Sequence, residues 1–372
     1  MIIRPITSRD LDPLYAIAVE SGPGFTSLLP DRDALARKID HSVSSFGRTV
    51  TTPGDEHYLF VLEDSMTGEI LGTTGIDAAA GLKRPLIHFR RNTIIPHARG
   101  PRMKHADESL TRCQHYTGCT EICSLYLRPG FRRANAGKLL SRVRFLFMAL
   151  HPGRFSDTVI AEMRGVSDQA GHSPFWNWLK HHVADLDFAS ATQLACSAHA
   201  GFVEEFIPAT PFYTQHMNPE ARAVIGQVHE DTRPARHMLE REGFRHRGFV
   251  DLLDGGPTLE CPKAEIASVR NTHMGKIELQ AGGEKLRENI EGPDAMPAIL
   301  ANAGCSGFRA TVTDQVHRSG DCLMVPARLA ENLGLDAGSL ASYLPLAGSR
   351  QQADIGQQAS QPLAHEEIRY AF

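Results

Sequence analysis

Met1 to Ile6, MIIRPI, reads as a strand. Ser8 or Asp10 then stands where it can cap a helix whose apolar face is Leu11, Leu14, Ile17 and Ala18. His57 to Leu62 and Ile70 to Ile76 are apolar runs on either side of the polar segment EDSMTGE, the pattern of a β-hairpin with a long loop. Residues 78–120 carry many His, Arg, Pro and Gly and give no assignable period. The segment ICSLYLRPGFRRANAGKLLSRVRFLFMAL, Ile122 to Leu150, passes from a strand through a basic turn into a helix. That helix carries an apolar stripe of Leu139, Leu140, Val143, Leu146 and Phe147, expected to be core.

TVIAEMRG predicts a strand from Thr158 to Met163, and Ser173-Pro174 opens a helix over FWNWLKHHV, where Trp176 and Trp178 are expected to pack locally. Glu220 to Val228 is a short helical stretch. In DTRPARHMLEREGF, Asp231 or Thr232 caps a helix, Pro234 suits its first turn, and Gly243 supplies a left-handed exit. Its expected buried stripe is Ala235, Met238 and Leu239. GFVDLLD follows as a strand and DGGPTLE as a glycine-proline turn. From Cys261 the texture changes to short, mostly strand-like pieces, among them PAILANA, FRATVTD, CLMVPARLAENLG and SLASYLPL. The expectation is an α/β (α+β) domain over residues 1–260, a small β-rich domain over 261–347 and a flexible Gln-, Ala- and Ser-rich tail over 348–372.

Composition narrows the function classes. A formal net charge of −4 over 372 residues argues against nucleic acid as the main partner, since phosphate backbones need a basic surface. No apolar run is long enough to span a bilayer, and the amino terminus lacks the apolar core of a signal peptide. Seven cysteines at uneven spacing suit free thiols in a reducing compartment, so a cytoplasmic location is expected. Cys113-x-His115-x-x-x-Cys119-x-x-x-Cys123, with His105 upstream, has no ordinary zinc-ligand spacing, and no metal is expected.

The basic turn carries the first candidate chemistry. A helix start presents unpaired N–H groups and partial positive charge, so it favours an anion, commonly a phosphate. No Walker loop and no G-x-G-x-x-G accompanies it. Arg132-Arg133-Ala134-Asn135-Ala136-Gly137 instead follows the Arg-x-x-Gly-x-Gly turn of acyl-CoA N-acyltransferases, with Asn135 in place of one glycine. Asn tolerates a left-handed backbone better than most residues do. ARHMLEREGFRHRGFVDLL resembles the late helix, Gly-Phe, strand unit of the same GNAT-like fold.

MIIRPITSRDL, GFTSL, YLFVLED, CSLYLRPGFR, VIAEMRGVSDQAGHSPFW, EARAVIGQVHEDTRPARHMLEREGF and FVDLLDGGPTLEC together resemble the arginine N-succinyltransferase family, including the paired subunits acting on arginine and ornithine. ILANAGCSGFRA and the strands after it resemble that family's small carboxy-terminal, β-barrel-like domain. The resemblance implies succinyl-CoA as cosubstrate, no prosthetic group, and transfer of succinyl to the α-amino group of L-arginine in arginine breakdown. Its alternatives are ornithine or another amine as acceptor, or a catalytically silent subunit. A homo-oligomer or a heteromer with a paralogous subunit is also implied.

The fold implied by the resemblance sets Leu125 against the pantetheine arm. It gives the backbone of Leu125, Tyr126 and Leu127 to the thioester and Arg132, Arg133, Asn135, Ala136 and Gly137 to the pyrophosphate. Thr26 and Ser27 fall to the arginine site. His229, in VIGQVHEDTRPA, matches the family's acid/base histidine, and imidazole can move protons near neutral pH. Glu162 is a candidate for the guanidinium and Arg164 for a carboxylate; a structural ion pair is the plainer alternative for both.

Overall fold

The computed structural model describes residues 1–22, 25–94, 107–132, 135–168, 171–183, 185–196, 207–280 and 297–346. The sequence-expected hairpin forms as β2 (His57–Glu63) and β3 (Ile70–Asp77), paired antiparallel. β1 (Ile2–Pro5) lies on the outer side of β2, and β6 (Thr120–Leu127) pairs antiparallel with β3. β7 (Thr158–Glu162) runs parallel to β6, and β10 (Pro257–Pro262) and β9 (Arg245–Val250) follow antiparallel. The segment with no sequence period contributes two paired strands, β4 (His88–Ile94) and β5 (Asp107–Cys113), which extend the sheet beyond β9. β8 (Phe212–Tyr213) closes that edge.

Helices cover both faces because alternate residues of the central strands are apolar on both sides. α1 (Leu11–Glu20) and α2 (Arg32–Gly47) pack Leu14, Ile17, Leu35 and Ile39 onto Leu59 and Val61 of β2. α3 (Ala136–Leu150) lies on the opposite face, where its whole expected stripe is buried against Tyr58, Phe60, Ile76 and Ile122. Asp10 precedes α1 as expected, but its carboxylate takes the Thr7 N–H and a two-point contact from Arg4 rather than capping α1 itself. α4 (Pro174–Val183) buries Trp176, whose indole N–H donates to Leu186 O at 2.9 Å, and Trp178; α5 (Phe188–Cys196) joins the same cluster. α6 (Pro219–Val224) is shorter than the expected helical stretch because Ile225 turns extended.

α7 (Arg233–Glu242) ends at Gly243, φ 108°, as its sequence requires. Its buried face is narrower than expected: Leu239 is core, Ala235 only partly, and Met238 stays half-exposed. Glu242 is buried instead, held by Arg142 at 3.0 Å and by the Ser268 N–H and hydroxyl at the start of α8 (Ala267–Arg270).

Past that point come β11 (His273–Gln280), β12 (Ala298–Asn302), β13 (Ala310–Thr313), β14 (His317–Ser319), β15 (Cys322–Pro326) and β16 (Leu340–Pro345). One expected strand-like piece is part helix: ARLAEN forms α9 (Ala327–Asn332) directly after β15. These strands run β14-β15-β11-β16-β12-β13, and β13 meets β1 through Ile3 and Ala310, so the sheet is continuous. They have their own core around Ile277, Leu300, Leu323 and Val325, yet Phe308 packs on Phe60 and Phe147 of the first core. The 260/261 boundary expected from composition falls inside β10. The expected tail lies outside the described residues.

Candidate functional site: a gap between two parallel strands

β6 and β7 stay in register only at Thr120–Val159 and Glu121–Ile160, although both strands continue beyond. The cause is a bulge in β6. Between the pairs Gly75–Cys123 and Thr73–Tyr126, Ser124 and Leu125 oppose the single residue Thr74. Ser124 has a left-handed backbone, φ 52°, and Thr73 Oγ1 fixes it by donating to Ser124 O at 2.8 Å. Gly72 and Gly75 let the bulged strand sit close, since a Cβ on Gly72 would stand 2.4 Å from Tyr126 O. From Ile122 onward the β7-facing edge of β6, including Leu125, Tyr126 and Leu127, is therefore a row of main-chain groups without a strand partner.

The mouth of this gap leads to the start of α3. Asn135 holds φ 71° and ψ −12°, the left-handed shape of the glycine it replaces, and its side chain does not cap the helix. The first intrahelical bond is Leu139 N to Asn135 O, so the amides of Ala136, Gly137 and Lys138 have no helical acceptor. Ala136 is buried, while a Cβ on Gly137 would meet only open space. Arg132 is exposed and makes no ion pair among the described residues. Arg128, part of the same basic turn, is committed elsewhere: it bridges Glu20 at 2.6 Å and Glu69 at 3.1 Å. Arg133 lies outside the described residues.

Sheet register also assembles polar groups on the face away from α3. One cross-strand row holds His57, Asp77, Glu121, Ile160 and Glu260; the next holds Leu59, Gly75 and Cys123 before the gap, then Glu162 and Thr258 beyond it. His57 Nδ1 lies 2.5 Å from Asp77 Oδ1, and Cys123 Sγ donates to Asp77 Oδ2 at 3.5 Å. Burial pushes the His57 imidazole down despite Asp77, so the pair is a neutral ring donating to an ionised carboxylate; its Nε2 is buried without a partner. These three donors lie within 4.8 Å of one another, but a 2.5 Å contact is shorter than the roughly 3.3 Å between two ligands of a tetrahedral zinc.

Burial and Asp77 raise the Cys123 thiol well above its usual range, which leaves it a thiol and no nucleophile. Cys113 and Cys119 are likewise raised by burial, and His115 stacks on Phe249 at 4.7 Å. His105 of the weighed zinc pattern lies outside the described residues.

Of the two charged residues singled out in AEMRG, Glu162 contacts the fully buried His88 Nε2 at 2.6 Å. Burial opposes charge on that imidazole, but the Glu162 bond outweighs it and the ring is shifted upward. Arg164 lacks a carboxylate partner among the described residues; it donates to Ser167 Oγ at 3.2 Å, and its Nε is buried and unpaired. Burial lowers its basicity. Arg164 O accepts the His229 N–H at 2.9 Å, which ties His229 to the extension of β7. Asp231 N–H donates to His229 Nδ1 at 3.2 Å, so the ring proton of the neutral form sits on Nε2. Burial first, then the Arg164 charge, lowers the His229 pKa below 6.5.

Thr26 and Ser27 follow Phe25, whose ring packs edge-on against Tyr126 at 5.9 Å, and Ser27 O accepts from Lys38 Nζ at 2.9 Å. The structure therefore brings this loop, β6, the α3 start and the β7 extension around one gap. Sequence reading missed His57, Asp77, His88 and Glu121, which come from separate strands. Strand alternation does place Glu121 and Cys123 on one face and was the available signal.

A parallel strand pair parted by a bulge, with an uncapped helix start at its mouth, defines the GNAT-like N-acyltransferase fold. The family described as arginine N-succinyltransferase beta subunit matches residues 1–268. An arginine N-succinyltransferase of Enterobacter sp. (strain 638) is 36% identical over 93% of this chain and 98% of its own length. One from Citrobacter koseri is 38% identical over 83% of this chain and 88% of its own. The solved arginine/ornithine succinyltransferase subunit AI from Pseudomonas aeruginosa superposes with a TM-score of 0.83 at 31% identity, covering 93% of this chain and 99% of that one. The chain belongs to the arginine N-succinyltransferase family.

Proposed function

We propose that the protein transfers a succinyl group from succinyl-CoA to the α-amino group of L-arginine, in arginine breakdown. The observation that carries this reading is the unpaired edge of β6, which leads from a bulge to the uncapped start of α3. A pantetheine arm carries amides that can extend the sheet along Leu125, Tyr126 and Leu127, and their N–H groups suit the thioester oxygen. The diphosphate is assigned to the amides of Asn135, Ala136 and Gly137, with charge from Arg132 and, by sequence, Arg133. Asn135 keeps the left-handed backbone of the glycine it replaces, so this departure from the family turn lends no support to the silent-subunit alternative.

Reaction proceeds in a ternary complex. The neutral acceptor nitrogen attacks the thioester carbon, the C–N bond forms, the C–S bond breaks, and one proton moves from nitrogen to sulfur. His229 is assigned to carry that proton, since its lowered pKa keeps imidazole neutral at pH 7. Arg164 is assigned to a carboxylate of acceptor or donor, because it is half-buried without an acidic partner among the described residues. Thr26 and Ser27 are assigned to the acceptor side of the gap. Glu162, engaged by His88, contributes charge rather than a direct fork to the guanidinium.

A cytoplasmic location, a division into a 1–260 acyltransferase domain and a 261–347 β-rich domain, and assembly as a homo-oligomer or with a paralogous subunit complete the proposal. No helix among the described residues is long and apolar enough to cross a membrane.

The test is thiol release by the purified protein across succinyl-, acetyl- and glutaryl-CoA against arginine, ornithine and lysine. Succinyl-CoA with arginine is expected to give the highest kcat/KM. His229→Ala is expected to lower kcat by about 10²–10⁴ while acyl-CoA affinity stays put. Preference for another pair refutes the substrate assignment, and wild-type turnover by His229→Ala refutes the role of the imidazole.

A further inference from the structure

Glu121 has no assigned role in the account so far, and its surroundings are unusual. It is the last residue of β6 still paired with β7, so its side chain stands at the floor of the gap. Protein encloses it closely, yet solvent reaches part of it. Its carboxyl makes no hydrogen bond or ion pair among the described residues. A largely enclosed carboxyl whose donors come from solvent alone gains from a fixed cation at short range.

The neighbours deepen this need. Asp77 stands directly across on β3 and is ionised, with a neutral imidazole and the Cys123 thiol as its partners. Glu162 lies one row further along β7 and shares its charge with His88. Lys38 of α2 is the cation facing this group, but its ammonium is tied to Ser27 O. Burial, Glu162 and Asp77 together hold the Glu121 carboxyl well above the usual range. A permanent cation arriving here would meet three carboxyl groups, and only the middle one is wholly unpartnered. At the far end of the β7 lip stands the opposite charge, Arg164.

We propose that Glu121, flanked by Asp77 and Glu162, seats the cationic side chain of the acceptor amino acid and so determines acceptor specificity. The proposal rests on the acceptor class given under Proposed function and replaces Glu162 with Glu121 as the direct partner of the guanidinium. A bound guanidinium favours the ionised carboxylate and so opposes the upward shift that burial, Glu162 and Asp77 impose on Glu121. Asp77 and Glu162 set the local field but keep their own partners.

The experiment compares full-length wild type with Glu121→Gln and Glu121→Asp, using succinyl-CoA as donor and either arginine or its uncharged isostere citrulline as acceptor. Glu121→Gln is expected to raise KM for arginine by about 10- to 100-fold with kcat at saturation little changed. The same variant leaves kcat/KM for citrulline unchanged or higher, so the arginine-over-citrulline ratio collapses. Glu121→Asp restores part of that ratio. Calorimetry is expected to show arginine binding weakened by about 10- to 100-fold in Glu121→Gln while citrulline binding is unchanged.

Equal loss of kcat with both acceptors at unchanged KM would place Glu121 in the chemistry and overturn the proposal. So would an unchanged arginine-over-citrulline ratio in a variant that still binds acyl-CoA. A wild-type protein with no arginine activity would instead defeat the substrate reading itself, a result visible before any variant is made.

Discussion

Asn135 is a residue whose neighbours in sequence give away its backbone shape. Asn135 sits at φ 71° because the turn needs a left-handed residue before α3, and asparagine is the non-glycine residue best suited to it. The segment VIGQVHEDTRPA singles out His229, and a main-chain bond ties it to Arg164. That tie gives a measurable effect. The Arg164 charge and burial depress the imidazole, so its NMR titration midpoint is expected below 6.5 in wild type. Removing the charge in Arg164→Gln removes one depressing cause, and the midpoint is expected to move up toward 6.5. A midpoint that stays put or falls in that variant would show that Arg164 does not act on His229. Glu121, by contrast, was not legible. Its meaning comes from Asp77 on β3 and Glu162 on β7, and no spacing within one segment announces that three strands bring them together.

At the scale of elements, the helix stripe of α3 and the β2–β3 hairpin were readable because each satisfies its period locally. The bulge in β6 was not, since Ser124 looks like an ordinary strand residue and its φ of 52° is imposed by Thr73 across the sheet. β4 and β5 escaped as well, because these strands carry Arg, Asn and Thr and show no clean alternation. α9 was mistaken for strand because it follows β15 without a break and is short.

The bulge makes a prediction at this scale. Gly72→Ala puts a Cβ 2.4 Å from Tyr126 O and 3.0 Å from Leu140 Cδ1, so β6 must move away from β3. We expect a loss of about 1–3 kcal/mol in urea unfolding and weaker acyl-CoA binding. Wild-type affinity in that variant would mean that the β3–β6 spacing does not shape the gap.

At the scale of the molecule, composition shows a change of texture near residue 261 but not how the two parts join. β13 adds to the sheet beside β1, and Phe308 enters the aromatic cluster of Phe60 and Phe147. Long-range pairing of this kind, between residues 3 and 310, leaves no local trace in a sequence. The result is one continuous sheet with a parted seam at its middle, between β6 and β7. Around that seam gather the uncapped helix start, the acidic floor, Arg164 and His229, and their shared location makes the catalytic account a statement about the whole fold.

A crystal structure of the protein with succinyl-CoA tests that account most directly. The account predicts the pantetheine arm hydrogen-bonded along Leu125 to Leu127, its diphosphate on the amides of Ala136 and Gly137, and its thioester facing His229. Succinyl-CoA bound away from the seam, or a seam closed by β6 pairing with β7 along its full length, would contradict it.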